Sequence, residues 1–240
     1  MSLIRLDKYL ANAGAGTRTE VKNQIRKGLV TVNGEVVKKP ETKLDADGDE
    51  VCVGQKSLTY QKYEYYMFHK PAGCVTATQD NLHQTVMDFI SSGKKEELFP
   101  VGRLDKDTEG LLLITNDGAL AHELLSPRKH VNKTYFAKVE GKVTETDRQT
   151  FLQGVDIGEE KPTLPAELEI LKSGEISEVC LTIREGRFHQ VKRMFEAVDK
   201  QVVYLKRLSM GAISLDENLK KGEYRPLIRE EIERIGGSGC

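Results

Sequence analysis

The spacing of the apolar residues changes near residue 60, and this change divides the chain into two parts. In the first part, the apolar residues of segment 6–13 recur at the spacing of one helix face. Thr17 and Glu20 stand three residues apart, as in a capping box that begins a second helix. Asn33-Gly34, between two short apolar runs, favours a two-residue hairpin turn. We therefore predict two helices followed by a small hairpin sheet.

The second part of the chain alternates strand-like segments with short helical ones. Leu111–Thr115 is a continuous apolar run closed by the turn residues Asn116-Asp117-Gly118, which predicts a buried strand. Segments 135–139 and 179–183 alternate apolar and polar residues, as strands do. We predict an α+β fold in which the second part is a mixed, largely antiparallel sheet with flanking helices. The expected order is a small domain at 1–58, a linker at 59–63, a larger domain at 64–235 and a flexible tail at 236–240.

Composition excludes several classes of protein. Lys and Arg number 36 against 37 Asp and Glu, so the net charge of −1 identifies no partner. No apolar run approaches the ~20 residues of a membrane span, and the first ten residues lack the apolar core of a signal peptide. The four Cys are widely spaced and the five His form no HExxH pair, so we expect no metal site. These features indicate a cytoplasmic protein that does not associate with a membrane.

The charge of the first part is uneven. Residues 1–43 hold nine basic and four acidic side chains, a net charge of +5. Arg18, Lys22 and Arg26 are spaced by four and share one helix face. Such a face attracts phosphate backbones through charge and counterion release. Many charged faces only contact solvent, and the spacing by itself leaves both interpretations open.

Three carboxylates alternate with other residues just before the apolar run at Leu111: Asp105, Asp107 and Glu109. A calcium loop starting at Asp105 fails, because its twelfth position is Asn116 and residues 111–113 are patterned as a strand. A glycosidase-like carboxylate pair remains possible from sequence. An acidic turn in which Arg103 forms an ordinary ion pair is the structural alternative.

A second polar segment, Arg184–Val198, combines an apolar stripe with a basic face. We predict a helix that Gly186 opens and whose apolar stripe runs from Val191 to Val198. Residues 184–207 contain seven basic and three acidic side chains, a net charge of +4. Basic groups at a helix N-terminus favour phosphate binding. His189 alone indicates a structural hydrogen-bonding residue more often than a catalyst.

The first part resembles the small RNA-binding domain named after ribosomal small-subunit protein four, here called the S4 domain. The resemblance covers about residues 3–53 and implies an RNA-docking module without chemistry of its own. It rests on these segments: Arg5-Leu6-Asp7, Thr17-Arg18, Gly28 with Val30, and Val32-Asn33-Gly34.

The second part resembles the pseudouridine synthases over about residues 64–232, and in particular their ribosomal small-subunit branch. Four segments match that family in order and spacing: His69-Lys70-Pro71-Ala72-Gly73, the run Gly102-Arg103-Leu104-Asp105 to Gly118, Lys133-Thr134-Tyr135, and Gly186-Arg187-Phe188-His189-Gln190-Val191-Lys192-Arg193-Met194. The family usually has Arg where this chain has Lys192, so a bidentate Arg–carboxylate fork is replaced by a single charged contact.

The resemblance implies an enzyme that isomerises one uridine of ribosomal RNA, 16S RNA of the small subunit, to pseudouridine without a cofactor. A large-subunit enzyme and a non-catalytic RNA-binding or ribosome-assembly protein are the alternatives, and the lack of a long basic tail after Ile235 favours the small subunit. The implied partner is ribosomal RNA within an assembly particle, bound by a monomer. The implied catalytic residues are Asp105, Tyr135 and Lys192, and the expected RNA-binding residues are Arg5, Arg18, Lys22, Arg26, Arg103, Arg187, His189 and Arg193.

Overall fold

The computed structural model describes residues 3–46, 48–58, 60 and 62–237. Two positions of the predicted linker, Thr59 and Gln61, and residues 238–240 of the predicted tail lie outside the described residues. The chain forms two compact units. The first contains the residues up to Tyr63 together with Ser91–Glu97, and the second contains Glu64–Ile90 and the residues from Leu98 onward. The pattern of apolar residues does not indicate that segment 91–97 packs with the first unit.

The first unit consists of two short helices and two small sheets, as the apolar pattern predicts for the helices and the hairpin. Among its described residues, β1 pairs with β4, and a second sheet has the order β3-β2-β5-β6, with all pairs antiparallel. One apolar cluster, built from both helices and these strands, forms its core. The elements are β1 (Leu3–Arg5), α1 (Leu6–Asn12), α2 (Arg18–Arg26), β2 (Val30–Val32), β3 (Glu35–Val36), β4 (Lys43–Asp45), β5 (Val51–Val53) and β6 (Lys56–Leu58).

Local hydrogen bonds explain why the second helix and the hairpin of this unit could be predicted from sequence. The Thr17 amide donates to the Glu20 carboxylate at 2.7 Å and the Glu20 amide donates to Thr17 Oγ1 at 3.3 Å, which confirms the capping box. Asn33 and Gly34 both have positive φ, 51° and 83°, as a two-residue hairpin turn between β2 and β3 requires.

The second unit is built on one large sheet flanked by helices. In the described part of the chain this sheet has nine strands in the order β11-β12-β10-β13-β9-β7-β15, with β8 beside β9 and β14 beside β13. Every pair is antiparallel except β13 with β9, so the largely antiparallel prediction is confirmed. The elements are β7 (Tyr65–Lys70), β8 (Phe99–Val101), β9 (Glu109–Thr115), α3 (Gly118–Leu125), β10 (Lys133–Glu140), α4 (Glu145–Gln153), β11 (Glu167–Lys172), β12 (Ile176–Ile183), α5 (Gln190–Glu196), β13 (Gln201–Met210), β14 (Ile213–Ser214), β15 (Tyr224–Pro226) and α6 (Arg229–Arg234), with short 3₁₀ turns at Val86–Phe89, Lys95–Glu97 and Pro127–Lys129.

Strand β9 lies inside this sheet and is buried along its whole length, as its apolar run predicts. Its extended conformation is incompatible with a calcium loop that would continue through residues 111–113. Gly110 has φ +105°, and a Cβ there would lie 2.2 Å from the Arg207 carbonyl oxygen on β13. The close contact of β9 and β13 therefore requires glycine at this position.

One predicted helix is shorter than expected. Gly186 does not open it: α5 begins at Gln190, because His189 before it adopts a left-handed conformation with φ 49°. Val191 and Met194 are buried as predicted, but Val198 lies beyond the helix end. The longest helices in the described residues, α2 and α4, have nine residues each, and no described helix is long and apolar enough to cross a membrane.

We expect Gly110→Ala to lower the free energy of unfolding by at least about 2 kcal/mol, because the added methyl overlaps the β13 backbone and the positive φ strains alanine. Gly118→Ala is the matched control, since a Cβ at this first residue of α3 meets nothing within 4 Å. Denaturant unfolding of both variants measures the difference. Equal stability of the two variants would contradict the close approach of β9 and β13.

Candidate active site

A cleft of about 330 Å³ opens in the second unit. One wall is the loop 102–108 that joins β8 to β9, and the opposite wall is segment 183–192, from the end of β12 to the first turn of α5. The floor comes from one face of β10 and β13. Three of the matched segments, those around Asp105, Tyr135 and His189, therefore contribute residues to the same cavity.

A buried ammonium group holds the loop that carries Asp105. Lys70, the last residue of β7, is fully buried. Its Nζ donates to four backbone carbonyl oxygens: Pro71 at 3.1 Å, Asp105 at 3.0 Å, Lys106 at 3.3 Å and Thr108 at 2.9 Å. Burial lowers the pKa of Lys70, and the four carbonyl groups compensate for the water that the ammonium has lost.

A second set of hydrogen bonds fixes the other end of the loop. The Thr76 hydroxyl donates to the Leu104 carbonyl at 2.7 Å and accepts from the Leu104 amide at 3.1 Å. The Gly73 amide donates to the Lys106 carbonyl at 2.8 Å. Because the backbone is fixed on both sides of Asp105, its side chain is presented to the cleft in a defined position.

The Asp105 carboxylate faces two basic side chains from the opposite wall. Lys192 Nζ lies 3.3 Å from Asp105 Oδ2, and His189 Nε2 lies 3.6 Å from Asp105 Oδ1. Lys192 also bonds both oxygens of Asp107, at 2.7 and 2.9 Å. Burial lowers the pKa of Lys192, but the Asp107 hydrogen bond and the charges of Asp105 and Asp107 outweigh it and raise the pKa. The same hydrogen bond lowers the pKa of Asp107 against the opposing effect of burial.

The three carboxylates of the acidic run do not converge. Asp105 and Asp107 share the Lys192 ammonium, whereas Glu109 accepts from the Tyr204 hydroxyl at 2.7 Å and pairs with Lys221. In the described residues, no group of three or more His, Cys, Asp or Glu side chains is arranged to hold a metal ion. Of these three carboxylates, Asp105 alone lines the cleft, and its side chain is 26% exposed.

Tyr135 lies on the floor of the cleft. It is 7% exposed and belongs to the buried face of β10. Leu181 on β12 and Arg207 on β13 are its direct cross-strand neighbours. The structure thus brings Asp105, Tyr135 and Lys192 to one cavity.

The cations predicted to bind RNA around the cleft differ in whether their side chains already have a partner in the protein. Arg103 is exposed on the cleft wall and has no partner among the described residues. Arg187 instead donates to the carbonyls of Lys161 and Pro162 at 2.7 and 2.8 Å and pairs with Glu185. Arg193 likewise donates to the carbonyl of Ile157 and pairs with Glu159. Both guanidinium groups hold the 156–163 segment, so phosphate binding by them stays a prediction and requires an exchange of partners.

The predicted cations of the first unit are mostly accessible. Arg18 and Arg26 are exposed on α2, and Lys22 lies 4.0 Å from the Asp7 carboxylate. Arg5 forms a two-bond fork with Asp7, at 3.0 and 2.8 Å, so its guanidinium already has an acidic partner.

Comparisons with known proteins identify the family of this architecture. The S4 domain matches residues 4–51, and the RNA pseudouridylate synthase family matches residues 64–197, more than half of the chain. The chain belongs to the RNA pseudouridylate synthase family. It is therefore an RNA-modifying enzyme, and the cleft around Asp105 is its candidate active site.

Relatives and a solved structure agree with this assignment. The enzyme is 47% identical over 234 residues to an uncharacterised RNA pseudouridine synthase, YtzG, of Bacillus subtilis, with 97% of this chain and 98% of the relative covered. It is 42% identical over 233 residues to ribosomal small subunit pseudouridine synthase A of Escherichia coli K12, with 97% and 100% covered. A crystal structure of a pseudouridylate synthase matches with a TM-score of 0.68 and 40% identity, over 97% of this chain and 99% of that chain.

Several residues and contacts of this site were not predicted from the sequence. The Asp107–Lys192 contact joins groups 85 positions apart, so spacing could not reveal it. Lys70 belongs to a matched motif, but the sequence did not indicate that its side chain is buried. Phe188 is 73% exposed and stacks on His189, which lines the cleft, with ring centroids 3.8 Å apart. The signal in the sequence was an aromatic side chain within a run of basic residues.

We expect Lys70→Met to lower the free energy of unfolding by about 3 kcal/mol or more, because four buried carbonyl groups would lose their donor. The amides of residues 104–108 should also exchange faster with solvent, since the loop would open locally. Lys106→Met in the same loop is the control, because its side chain is exposed and substitution there changes stability by about 0.5 kcal/mol or less. Unchanged stability and exchange in Lys70→Met would refute its role in fixing the loop.

Proposed function

We propose that this enzyme isomerises a specific uridine to pseudouridine in ribosomal RNA of the small subunit, with Asp105 as its catalytic group. The observation that carries the proposal is the Asp105 carboxylate, fixed on the cleft wall and 3.3 Å from the Lys192 ammonium. Relatives named ribosomal small subunit pseudouridine synthase A align with 97% of the chain and support the choice of substrate.

The reaction exchanges one bond for another within the same nucleotide. The N1–C1′ glycosidic bond breaks, the base turns, and C5 bonds to C1′, after which the C5 proton is lost and N1 gains a proton. Atoms and electrons balance without oxidation or hydrolysis, so the step requires no redox cofactor or metal. The target nucleotide must leave its stack to expose C1′, and the cleft of about 330 Å³ offers a pocket for a flipped base.

Asp105 acts in this scheme as an ionised carboxylate. It either attacks C1′ or removes a sugar proton, and both routes require its negative charge. The Lys192 ammonium at 3.3 Å stabilises that charge, and Asp107 holds the ammonium in place. Lys192 therefore serves as the single-charge replacement for the arginine of related enzymes.

Tyr135 provides the surface on which the uracil ring stacks, and its hydroxyl is a candidate for moving the C5 proton. At the edge of the cleft, Arg103 and His189 are placed to contact the RNA backbone. Arg187 and Arg193 join them only after exchanging their protein partners.

The S4 domain adds affinity and orientation. Its basic α2 face contacts phosphates, which position the RNA but do not specify a sequence. We infer that the enzyme works as a monomer in the cytoplasm on a ribosomal assembly particle, where the target segment of RNA remains accessible.

Asp105→Asn should lower single-turnover pseudouridine formation at least ~10³-fold, because an amide cannot replace a carboxylate in bond breaking or proton transfer. RNA affinity should stay the same or rise slightly, since one negative charge near phosphates is removed. Both quantities are measured on the same small-subunit RNA substrate. Near-normal turnover in Asp105→Asn would overturn the assignment, and normal RNA binding without turnover in the wild type would favour a binding protein.

Asp107→Asn and Glu109→Gln are the matched controls for this experiment. Asp107→Asn removes one of the two carboxylates that share Lys192 and leaves its ammonium with Asp105. Glu109→Gln removes the ion pair with Lys221 on another part of the sheet. Both should cost far less turnover than Asp105→Asn, and equal losses in all three would support a collective acidic turn instead.

Replacing Arg18, Lys22 and Arg26 together with Ala should weaken RNA binding and flatten its dependence on salt. The slope of log affinity against log salt should fall by roughly two to three, about 0.7–0.9 per lost phosphate contact. Turnover on saturating RNA should change little. As a control, Lys129, Lys138 and Arg148, which form surface ion pairs in the second unit, are replaced with Ala. An unchanged slope in the α2 variant would mean that this face contacts only solvent.

A further inference from the structure

A buried guanidinium on the floor of the cleft is left largely without partners. Arg207 on β13 is 2% exposed and lines the cleft. Its Nε donates to the Leu111 carbonyl at 2.7 Å, but its Nη2 is buried and bonds no atom of the described residues. A buried charged donor without an acceptor is costly, so such a group in a cleft indicates a missing ligand atom.

A second buried cation lies beside it. Lys133 on β10 is 9% exposed, lines the same cleft and donates only to the Val131 carbonyl, at 3.2 Å, among the described residues. Burial and the charge of Arg207 both lower the pKa of Lys133. The carboxylate of Glu185 opposes this effect, but it is bound by the Leu164 amide and by Arg187. The floor therefore carries two cations without an ion-pair partner within 4.0 Å in the described structure.

Both cations flank the ring of Tyr135. Lys133 precedes Tyr135 by two residues on β10, so the two share the buried face of that strand. Arg207 is the cross-strand partner of Tyr135 on β13, next to a register shift between Thr134 and Tyr135, and its side chain is also buried. A base stacked on Tyr135 thus presents its edge to one or both cations.

We propose that Lys133 and Arg207 bind the carbonyl oxygens of the target uracil and stabilise the negative charge that the base acquires when it leaves C1′. When the N1–C1′ bond breaks, its electron pair stays with N1, and the charge spreads to O2 and O4. The intact base is neutral, so the two cations interact more strongly with the departing base than with the substrate. This assignment rests on the proposed function and extends its chemistry from the sugar side, at Asp105, to the base side.

A uracil oxygen fits this position better than a backbone phosphate. Leu205 and Ile183 line the cleft on the same side as Tyr135, and these apolar groups suit a flat base rather than a solvated phosphate. Arg103, which is exposed at the edge of the cleft and has no partner among the described residues, is available for a phosphate.

The test compares uridine with 5-fluorouridine at the target position of the RNA, in single-turnover measurements of glycosidic bond cleavage. Fluorine at C5 withdraws electrons and makes the base a better leaving group. Arg207→Met and Lys133→Met should each slow cleavage of uridine by about 10²–10³-fold, the usual cost of losing one donor to a developing anion. The loss on 5-fluorouridine should be smaller by about tenfold, because the better leaving group needs less stabilisation.

Stability separates this role from a structural one. Lys133→Met removes an unpaired buried charge, so its melting temperature should stay the same or rise while turnover falls. Lys200→Met is the control, because Lys200 forms a partly buried ion pair with Asp147 away from the cleft. This variant should lower the melting temperature and affect both substrates equally. Arg207→Met also frees the Leu111 carbonyl, so Lys133→Met is the decisive variant if Arg207→Met folds poorly.

Equal slowing on uridine and 5-fluorouridine by an otherwise stable Lys133→Met variant would overturn the role of the cations in leaving-group stabilisation. That conclusion requires the wild type to turn over both substrates in the same experiment. If the wild type itself forms no pseudouridine in small-subunit RNA, the proposed function fails, and this inference fails with it.

Discussion

The active-site architecture depends on one ammonium group inside the protein. Lys70 gathers the carbonyls of residues 105, 106 and 108 around its Nζ, and Thr76 holds Leu104 next to them. A loop would otherwise sample many conformations, and these hydrogen bonds favour the observed one. The direction of the Asp105 side chain follows from that arrangement. The sheet supplies the frame for it, because Lys70 ends β7, and β7 pairs with the buried strand β9.

In the proposed mechanism, the charged side chains of the cleft lie where charge would change during the reaction. On the sugar side, Asp105 and Asp107 share Lys192. On the base side, Lys133 and Arg207 lie deep and without carboxylate partners within 4.0 Å in the described residues. Such a separation is costly for the folded protein, since unpaired buried cations destabilise it. This loss of stability is offset by faster catalysis where fixed charges match the charge that develops in the transition state.

Features set by neighbouring residues were predictable from sequence. The Thr17–Glu20 capping box, the Asn33-Gly34 turn and the apolar strand at Leu111 each depend on local hydrogen bonds or on burial of a contiguous run. The start of α5 was not predictable from the apolar stripe, because His189 takes a left-handed conformation that periodicity does not encode. Segment 91–97 likewise joins the first unit through contacts that depend on the tertiary fold.

The candidate site shows the same division. The matched motifs brought Asp105, Tyr135 and Lys192 together as a hypothesis, and they do line one cleft. Contacts between residues distant in sequence could not be predicted. These are the contact of Lys192 with Asp107 and the contacts of Arg187 and Arg193 with segment 156–163. Arg207 Nη2 lacks a hydrogen-bond partner among the described residues because of the atoms that the neighbouring strands place around it. The spacing of residues in the sequence does not indicate this.

The central claim is that this enzyme makes pseudouridine in small-subunit ribosomal RNA by means of Asp105. The most direct measurement is a map of pseudouridines in ribosomal RNA from cells with the protein, without it, and with Asp105→Asn in its place. We expect one small-subunit position to lose its pseudouridine without the protein and to regain it with the wild type but not with Asp105→Asn. An unchanged map, a change confined to large-subunit RNA, or full restoration by Asp105→Asn would contradict it.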